Sequence, residues 1–235
     1  MGASWQIRTA ELGRAVWDWE LGRPTVRLML PVRRPAADAM SRHAPVQMAC
    51  WTTGLPLLLE SGLEHEAARD LDQDPSVCWL VAQPVALTFD SGESHVVDLL
   101  AEHDDGRVVM WDVRPTARQD DEFRKIAELT RQACHDVGWE YAVFGTVDAV
   151  RRLNLRWLST YRRPPKWPHH DVVQKLVASA AETCSLGDLM ALDDGDGHEV
   201  AVMWHLLSIR RLQVDLDEPL TAGTLVTLGV ERDHA

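Results

Sequence analysis

Four acidic residues are spaced so that they can share one divalent cation. Glu60 and Glu64 stand one helical turn apart, and Asp98 and Asp112 each interrupt an apolar run, His95-Val96-Val97-Asp98-Leu99-Leu100 and Val108-Val109-Met110-Trp111-Asp112-Val113. A carboxylate inside an apolar strand needs a partner, because burying it unpaired costs several kcal/mol. Mg²⁺ takes one or two carboxylates and completes its shell with waters and substrate phosphate oxygens. Water bound to such an ion becomes a usable nucleophile, and the ion stabilises charge on phosphorus and on the leaving oxygen. The chemistry these residues could do is therefore phosphodiester hydrolysis, with Arg114 as a cation for the scissile phosphate. The competing reading places both aspartates on the wet face of a sheet, with no site between them.

The elements that must position these groups are legible in the periodicity. Leu59, Leu63, Ala67 and Leu71 recur every four residues and predict a helix over 56–71, with Glu60 and Glu64 on the neighbouring stripe. Asp74-Pro75 ends it, since the residue before proline is pushed out of helical geometry. Strand-like runs follow at 77–81 continuing to 85–89, at 95–100 and at 108–113, separated by turns at Asp90-Ser91-Gly92 and Asp104-Asp105-Gly106. A helix over 120–137 ends at Gly138, and a strand at 140–144 and a helix at 147–161 complete an α/β unit around a mixed sheet. Before this unit, Trp17-Asp18-Trp19 and Val26–Leu30 alternate in the strand manner, and Pro31, Pro35 and Ala36-Ala37-Asp38 end that stretch. After it, Pro164-Pro165-Lys166-Trp167-Pro168 reads as a stiff linker. Helices at 170–182, 186–192 (capped by Ser185) and 198–209, then a hairpin of 212–216 with 224–228, have the layout of a winged-helix module. The expected domains are a β-rich extension (1–45), an α/β domain (46–163), a linker (164–169) and a winged-helix-like domain (170–235).

The 235 residues are 46% hydrophobic and 26% charged, which excludes a disordered chain, a collagen and a disulfide-stapled miniprotein. The longest apolar run, Leu55-Pro56-Leu57-Leu58-Leu59, is far short of the roughly 20 residues that cross a bilayer, and the first 25 residues do not read as a secretory signal. Cys50, Cys78, Cys134 and Cys184 are too far apart for a zinc knuckle or redox pair and read as reduced core fillers of a cytoplasmic protein. Net charge is −12, which argues against a protein that coats nucleic acid with a broad basic surface. The basic residues nevertheless cluster: Arg151, Arg152, Arg156, Arg162, Arg163 and Lys166 interleave with Trp157 and Tyr161 and are the candidate DNA contacts, with a solvated helix end as the alternative. The segment 166–235 holds five Lys/Arg against twelve Asp/Glu, a net of −7 that suits a protein partner better than DNA. The scattered tryptophans read as packing anchors, His103, His169, His170, His198 and His205 as surface or cap residues, and Asp193–Gly197 as a solvated turn that lacks the bidentate Glu of a calcium loop.

The ordered series Glu, Asp, Asp-x-Arg on a helix and a hairpin resembles the restriction-endonuclease-like fold. More narrowly, the chain resembles the TnsA-like endonuclease subunits of heteromeric transposases. The matching stretches run from Trp51-Thr52-Thr53-Gly54 through Glu60-Ser61-Gly62-Leu63-Glu64, Leu71-Asp72-Gln73-Asp74-Pro75, Gln83-Pro84, His95-Val96-Val97-Asp98, Asp105-Gly106, Asp112-Val113-Arg114-Pro115, Cys134 with Gly138-Trp139-Glu140-Tyr141, Arg156-Trp157-Leu158 and Tyr161-Arg162 to Leu206-Leu207, Val214-Asp215-Leu216 and Pro219-Leu220, and the resemblance covers 42–228. The resemblance implies that Glu64, Asp98 and Asp112 hold Mg²⁺ or Mn²⁺, with Glu60 a second choice for Glu64. It implies a cut of one strand of double-stranded DNA at a transposon end, beside an integrase-type transposase and under an AAA+ ATPase. Two positions depart from that family: Val97 stands for proline and Arg114 for lysine. Arginine clamps phosphate but does not release its proton, and Lys125 on the following helix is the candidate to replace it. The other readings are a catalytically inactive nuclease-fold protein that binds DNA or assembles a complex and, last, a transcription regulator.

Overall fold

The computed structural model describes residues 2–33 and 45–229. The expected stop at Pro35 and Ala36-Ala37-Asp38 lies outside them. The chain is mixed α/β and divides into two compact units, Met1–Thr146 and Val147–Ala235. No helix among the described residues is long and apolar enough to cross a membrane.

In the first unit a hairpin of β1 (Ala3–Thr9) and β2 (Gly13–Val16) opens the chain. The alternation at 17–19 and 26–30 does not make strands: Trp19–Leu21 and Val26–Leu28 are short 3-10 turns. Asp18 accepts from Glu20 N at 2.9 Å and so starts the first turn. Trp19 is held edge-on against Trp5 and Trp139, with ring centroids 5.1 and 5.4 Å away. The 56–71 segment also differs from its periodicity. Its first part is a strand, β4 (Pro56–Leu59), paired with β3 (Val46–Ala49), and only Gly62–Leu71 is helical, as α1. Ser61 sits in extended geometry and caps the helix by accepting from Glu64 N. Leu57 and Leu59 point inward by strand alternation, Ala67 and Leu71 by helix periodicity, and both sets reach one apolar cluster.

Two four-stranded sheets follow. β5 (Val77–Ala82), β8 (Leu99–His103), β9 (Val108–Val113) and β10 (Glu140–Phe144) form one, in the order β10-β9-β8-β5, antiparallel except for the parallel β9–β10 pair. β6 (Val85–Phe89) and β7 (Ser94–Val96) join the opening hairpin in the other, in the order β2-β1-β6-β7. The run 95–100 is therefore not one strand: it leaves one sheet after Val96 and enters the other at Leu99. Helix α2 (Asp121–Asp136), capped by Asp120, covers one face of the larger sheet with Ala133 and Cys134, while α1 contributes to the cluster on the other. Residues 2–33 are no separate extension, because Trp5, Ile7, Val26 and Met29 lie in the same core as Met110 and Trp139.

The second unit begins with α3 (Ala149–Ser159), so the units part before Val147 and not at the proline-rich 164–169. Leu158 is buried with Leu176, Leu189 and Met203 of the unit's core, and Asn154 donates from Nδ2 to the carbonyls of Leu216 and Glu218, both at 2.9 Å. After α3 come α4 (His170–Ala180), β11 (Cys184–Ser185), α5 (Leu186–Met190), α6 (His198–Ser208), β12 (Leu212–Gln213) and β13 (Leu225–Leu228), with β13 central between β11 and β12. Moving the boundary changes the charge. Residues 147–235 hold ten Lys/Arg and thirteen Asp/Glu, a net of −3, because Arg151, Arg152, Arg156, Arg162 and Arg163, with Asp148, join the segment that follows them.

Asn154→Ala should destabilise the second unit by about 1–2 kcal/mol, since two backbone carbonyls lose their side-chain donor. Urea unfolding of the full chain, with hydrogen exchange read at α3 and α6, should confine the loss to residues after 147.

Candidate active site

Asp98 occupies the bend where the chain changes sheets, between β7 and β8. β9 continues beyond the point where β8 turns away, which would leave the amide of Val113 without a ladder partner. Asp98 Oδ2 accepts from that amide at 2.7 Å. Asp98 is thus a half-buried carboxylate that completes the sheet at its diverging end, and it does not lie inside a strand. Its carboxyl titrates well above the ordinary aspartate range, because burial disfavours the charge and the Asp112, Glu64 and Glu60 carboxylates repel it; the Val113 amide opposes this. Glu64 is raised as well, by burial first. Glu64 accepts from Glu60 N at 2.8 Å and from Ser61 Oγ at 2.9 Å, which fixes it at the start of α1.

Asp112 is 1% exposed. His95 donates from Nε2 to its carboxylate, 2.8 Å from each oxygen, and the Tyr141 hydroxyl donates to Oδ2 at 2.5 Å. The phenol is pushed above its usual range, by burial first and then by Asp112. Cys134 of α2 is likewise pushed up to about 12, by burial first and then by the Asp112 charge.

The structure thus brings Glu60, Glu64, Asp98 and Asp112 into one electrostatic neighbourhood. It does not close three of them into a metal cage. Among the described residues the set of three ligand atoms within 4.8 Å of one another is Asp193, Asp196 and Glu199, in the other unit. That set already faces an ammonium, since Lys175 Nζ lies 2.6 Å from Glu199 Oε1 and 2.7 Å from the Leu192 carbonyl. Glu60 is paired with Arg33 at 2.8 Å.

The two candidate cations are placed elsewhere. Arg114 donates from Nε to the Arg118 carbonyl at 2.9 Å, lies 3.9 Å from Asp120 and covers the Phe123 ring. Lys125 pairs with Glu93 and holds that carboxyl down at about 2. Of the candidate DNA contacts, Arg151 pairs with Asp217 at 3.2 Å, Arg152 and Arg162 are half-buried, and Arg156, Arg163 and Lys166 are exposed.

Three further residues belong to this site. His95 and Tyr141 hold Asp112, and the only sequence signal for them was their place on strands flanking the acidic positions. Gln83 is the third. It is 1% exposed, has φ +48, and neither atom of its side-chain amide has a hydrogen-bond partner. Its backbone N donates to the Asp98 carbonyl at 2.8 Å. A buried side-chain amide without partners, on a residue in left-handed backbone geometry, is a feature that a bound group or water would satisfy. Val97 also has a local reason: its amide donates to the Val85 carbonyl at 3.2 Å, a bond that proline has no N–H to make.

The donor chemistry fits a hard divalent ion, which needs only one or two carboxylates from the protein. Asp98 and Glu64, both raised in proton affinity by burial, are the side chains that would hold it. No family model matches this chain, and no curated protein matches it.

A raised carboxyl is a penalty that operates above its folded-state titration and vanishes as pH falls to the unfolded range. Asp98→Asn, whose amide oxygen can still accept from Val113, should therefore melt higher than wild type at about pH 8, with the difference closing towards about pH 4. Tyr141→Phe should cost about 1.5–3 kcal/mol, the value of a hydrogen bond to a charged group, measured by urea unfolding at neutral pH.

Proposed function

We propose that the chain is a metal-dependent DNA endonuclease of the TnsA type, which cuts one strand at a transposon end beside a transposase partner. The observation that carries this reading is Asp98: a half-buried carboxylate raised in proton affinity by burial and by three neighbouring carboxylates, whose backbone partner Gln83 has a buried side-chain amide with no hydrogen bond. The Val113 amide accounts for an acceptor at position 98 but not for the Glu64 and Glu60 carboxylates beside it, whose repulsion a divalent cation would relieve. The order α1, β5, β8, β9, α2, β10, with the last strand parallel to β9, supports a restriction-endonuclease-like core. In the second unit the order helix, strand, two helices, strand, strand, with β13 beside β11, supports a winged-helix module.

In this reading Asp98 and Glu64 bind the ion. Asp112 adds negative charge beside them and is oriented by His95 and Tyr141. A bound Mg²⁺ or Mn²⁺ supplies an activated water and charge stabilisation at phosphorus. Arg114 clamps phosphate only after leaving Arg118, and it never acts as a base.

The second reading, an inactive nuclease-fold assembly protein, is favoured by one feature. Both Asp112 oxygens are already occupied, and Arg114 is held on its own loop. Plasmid nicking separates the two. With Mg²⁺ or Mn²⁺, and with a transposase partner present, the wild-type protein should nick supercoiled DNA, while Asp98→Ala and Asp112→Ala should not. Nicking that survives both substitutions rejects the site. No nicking under any of these conditions, together with a melting temperature that metal does not move, selects the assembly reading.

A further inference from the structure

Positive charge in this acidic chain is concentrated on α3 and the segment after it. Between Asp148 and Asp171 lie six basic residues and no acidic one, in a chain whose net charge is −12. The same stretch carries two tryptophans that packing leaves open: Trp157 is 48% exposed and Trp167 37%. A tryptophan whose role is packing buries most of its large surface.

These rings are exposed but held. Trp157 meets Tyr161 at 5.4 Å between centroids and Trp204 edge-on at 5.6 Å, while Tyr161 stacks on Trp204 at 5.9 Å. Tyr161 is fixed in turn, its carbonyl accepting from His205 Nδ1 at 2.8 Å and from Ser208 Oγ at 3.0 Å. Trp167 stacks on His198 at 4.8 Å. Arg156 neighbours Trp157 on α3, and Arg163 and Lys166 follow it; all three are exposed.

A half-open aromatic ring fixed from behind loses little entropy when something stacks on it. Cations without intervening carboxylates select a polyanion. Together these are the properties of a surface for single-stranded nucleic acid, where bases stack on rings and cations follow the phosphates. A duplex keeps its base faces stacked inside and can use only the cations.

We propose that α3 and residues 160–167 bind single-stranded DNA, with Trp157 stacking on an unpaired base and Arg163 and Lys166 taking the flanking phosphates. The proposal deepens the endonuclease reading and rests on it for the choice of DNA. It supplies a hold on bases that become unpaired beside a cut.

The test uses the full chain in EDTA, so that binding is read apart from hydrolysis. Fluorescein-labelled oligothymidylate is titrated by anisotropy against a duplex of equal length, and tryptophan emission is followed in parallel. The single strand should bind more tightly than the duplex, quench the emission and weaken as salt rises. Trp157→Ala should weaken binding by about 5- to 150-fold, the span of one base–aromatic stack. Trp157→Phe, which keeps a ring against Trp204, should retain most of the affinity, so loss through misfolding is told apart from loss of stacking. Arg163→Glu with Lys166→Glu should weaken binding most at low salt. Equal affinity for single strand and duplex overturns the proposal. So does a folded Trp157→Ala protein that binds oligothymidylate as wild type does, which would leave Trp157 as a docking point for a protein partner. Single-strand binding without any nicking would overturn the endonuclease reading alone.

Discussion

The hydrogen bond from the Val113 amide to Asp98 is the constraint around which the first unit is organised. The chain must pass from one sheet to the other after Val96, and where it does so β9 loses its neighbour. A buried amide without an acceptor costs about as much as a lost hydrogen bond. Asp98 supplies the acceptor from a side chain, and the cost moves to the carboxylate. That carboxylate is half-buried, near Glu64, Glu60 and Asp112, and it binds a proton more readily for both reasons. The sheet's geometric need and the acidic cluster are one feature.

Asp112 resolves the same electrostatic problem differently. Where Asp98 has one backbone donor, Asp112 has an imidazole and a phenol converging on it. Fully bonded, it is rigid and shielded; it also has little freedom to bind anything else. The group that completes the site is therefore not a third free carboxylate but the pair of donors that hold Asp112, with the unsatisfied Gln83 amide on the Asp98 side. Arg114 has no comparable engagement with the acids, since its guanidinium closes the loop that leads into α2.

In the second unit the decisive residue set is small. Asn154 and Leu158 tie α3 to the helices and strands that follow it, so the basic stretch belongs with the acidic segment after it. The charge of that unit is then close to balanced, and six of its ten basic residues fall in one run that carries two open tryptophans. A net of −7 for residues after the prolines describes a piece of this unit and not the unit itself.

Local pattern read 77–81 and 85–89 as one continuing run, which the fold divides between two sheets, but it placed the helices to within a few residues, at 120–137, 147–161, 170–182, 186–192 and 198–209, and the strands at 108–113 and 140–144. These are set by periodicity, caps and turn residues within a few positions, which is why they are readable in order along the chain. What local pattern misassigned were stretches whose partners lie far away. Leu57 and Leu59 fit a helical stripe, yet pairing with Val46–Ala49 makes them a strand. Trp19 alternates like a strand residue, yet Trp5 and Trp139 draw it into a turn. The run 95–100 looks continuous, yet two sheets compete for its halves. The roles of His95, Tyr141 and Gln83, and the bonds that hold Arg114 and Lys125 away from the acids, depend on separations of many residues closed by the fold. Residue type and spacing determine which groups are available for chemistry. Only tertiary packing determines which of them share a buried space, because the free energy of burying a charge depends on every neighbour that surrounds it.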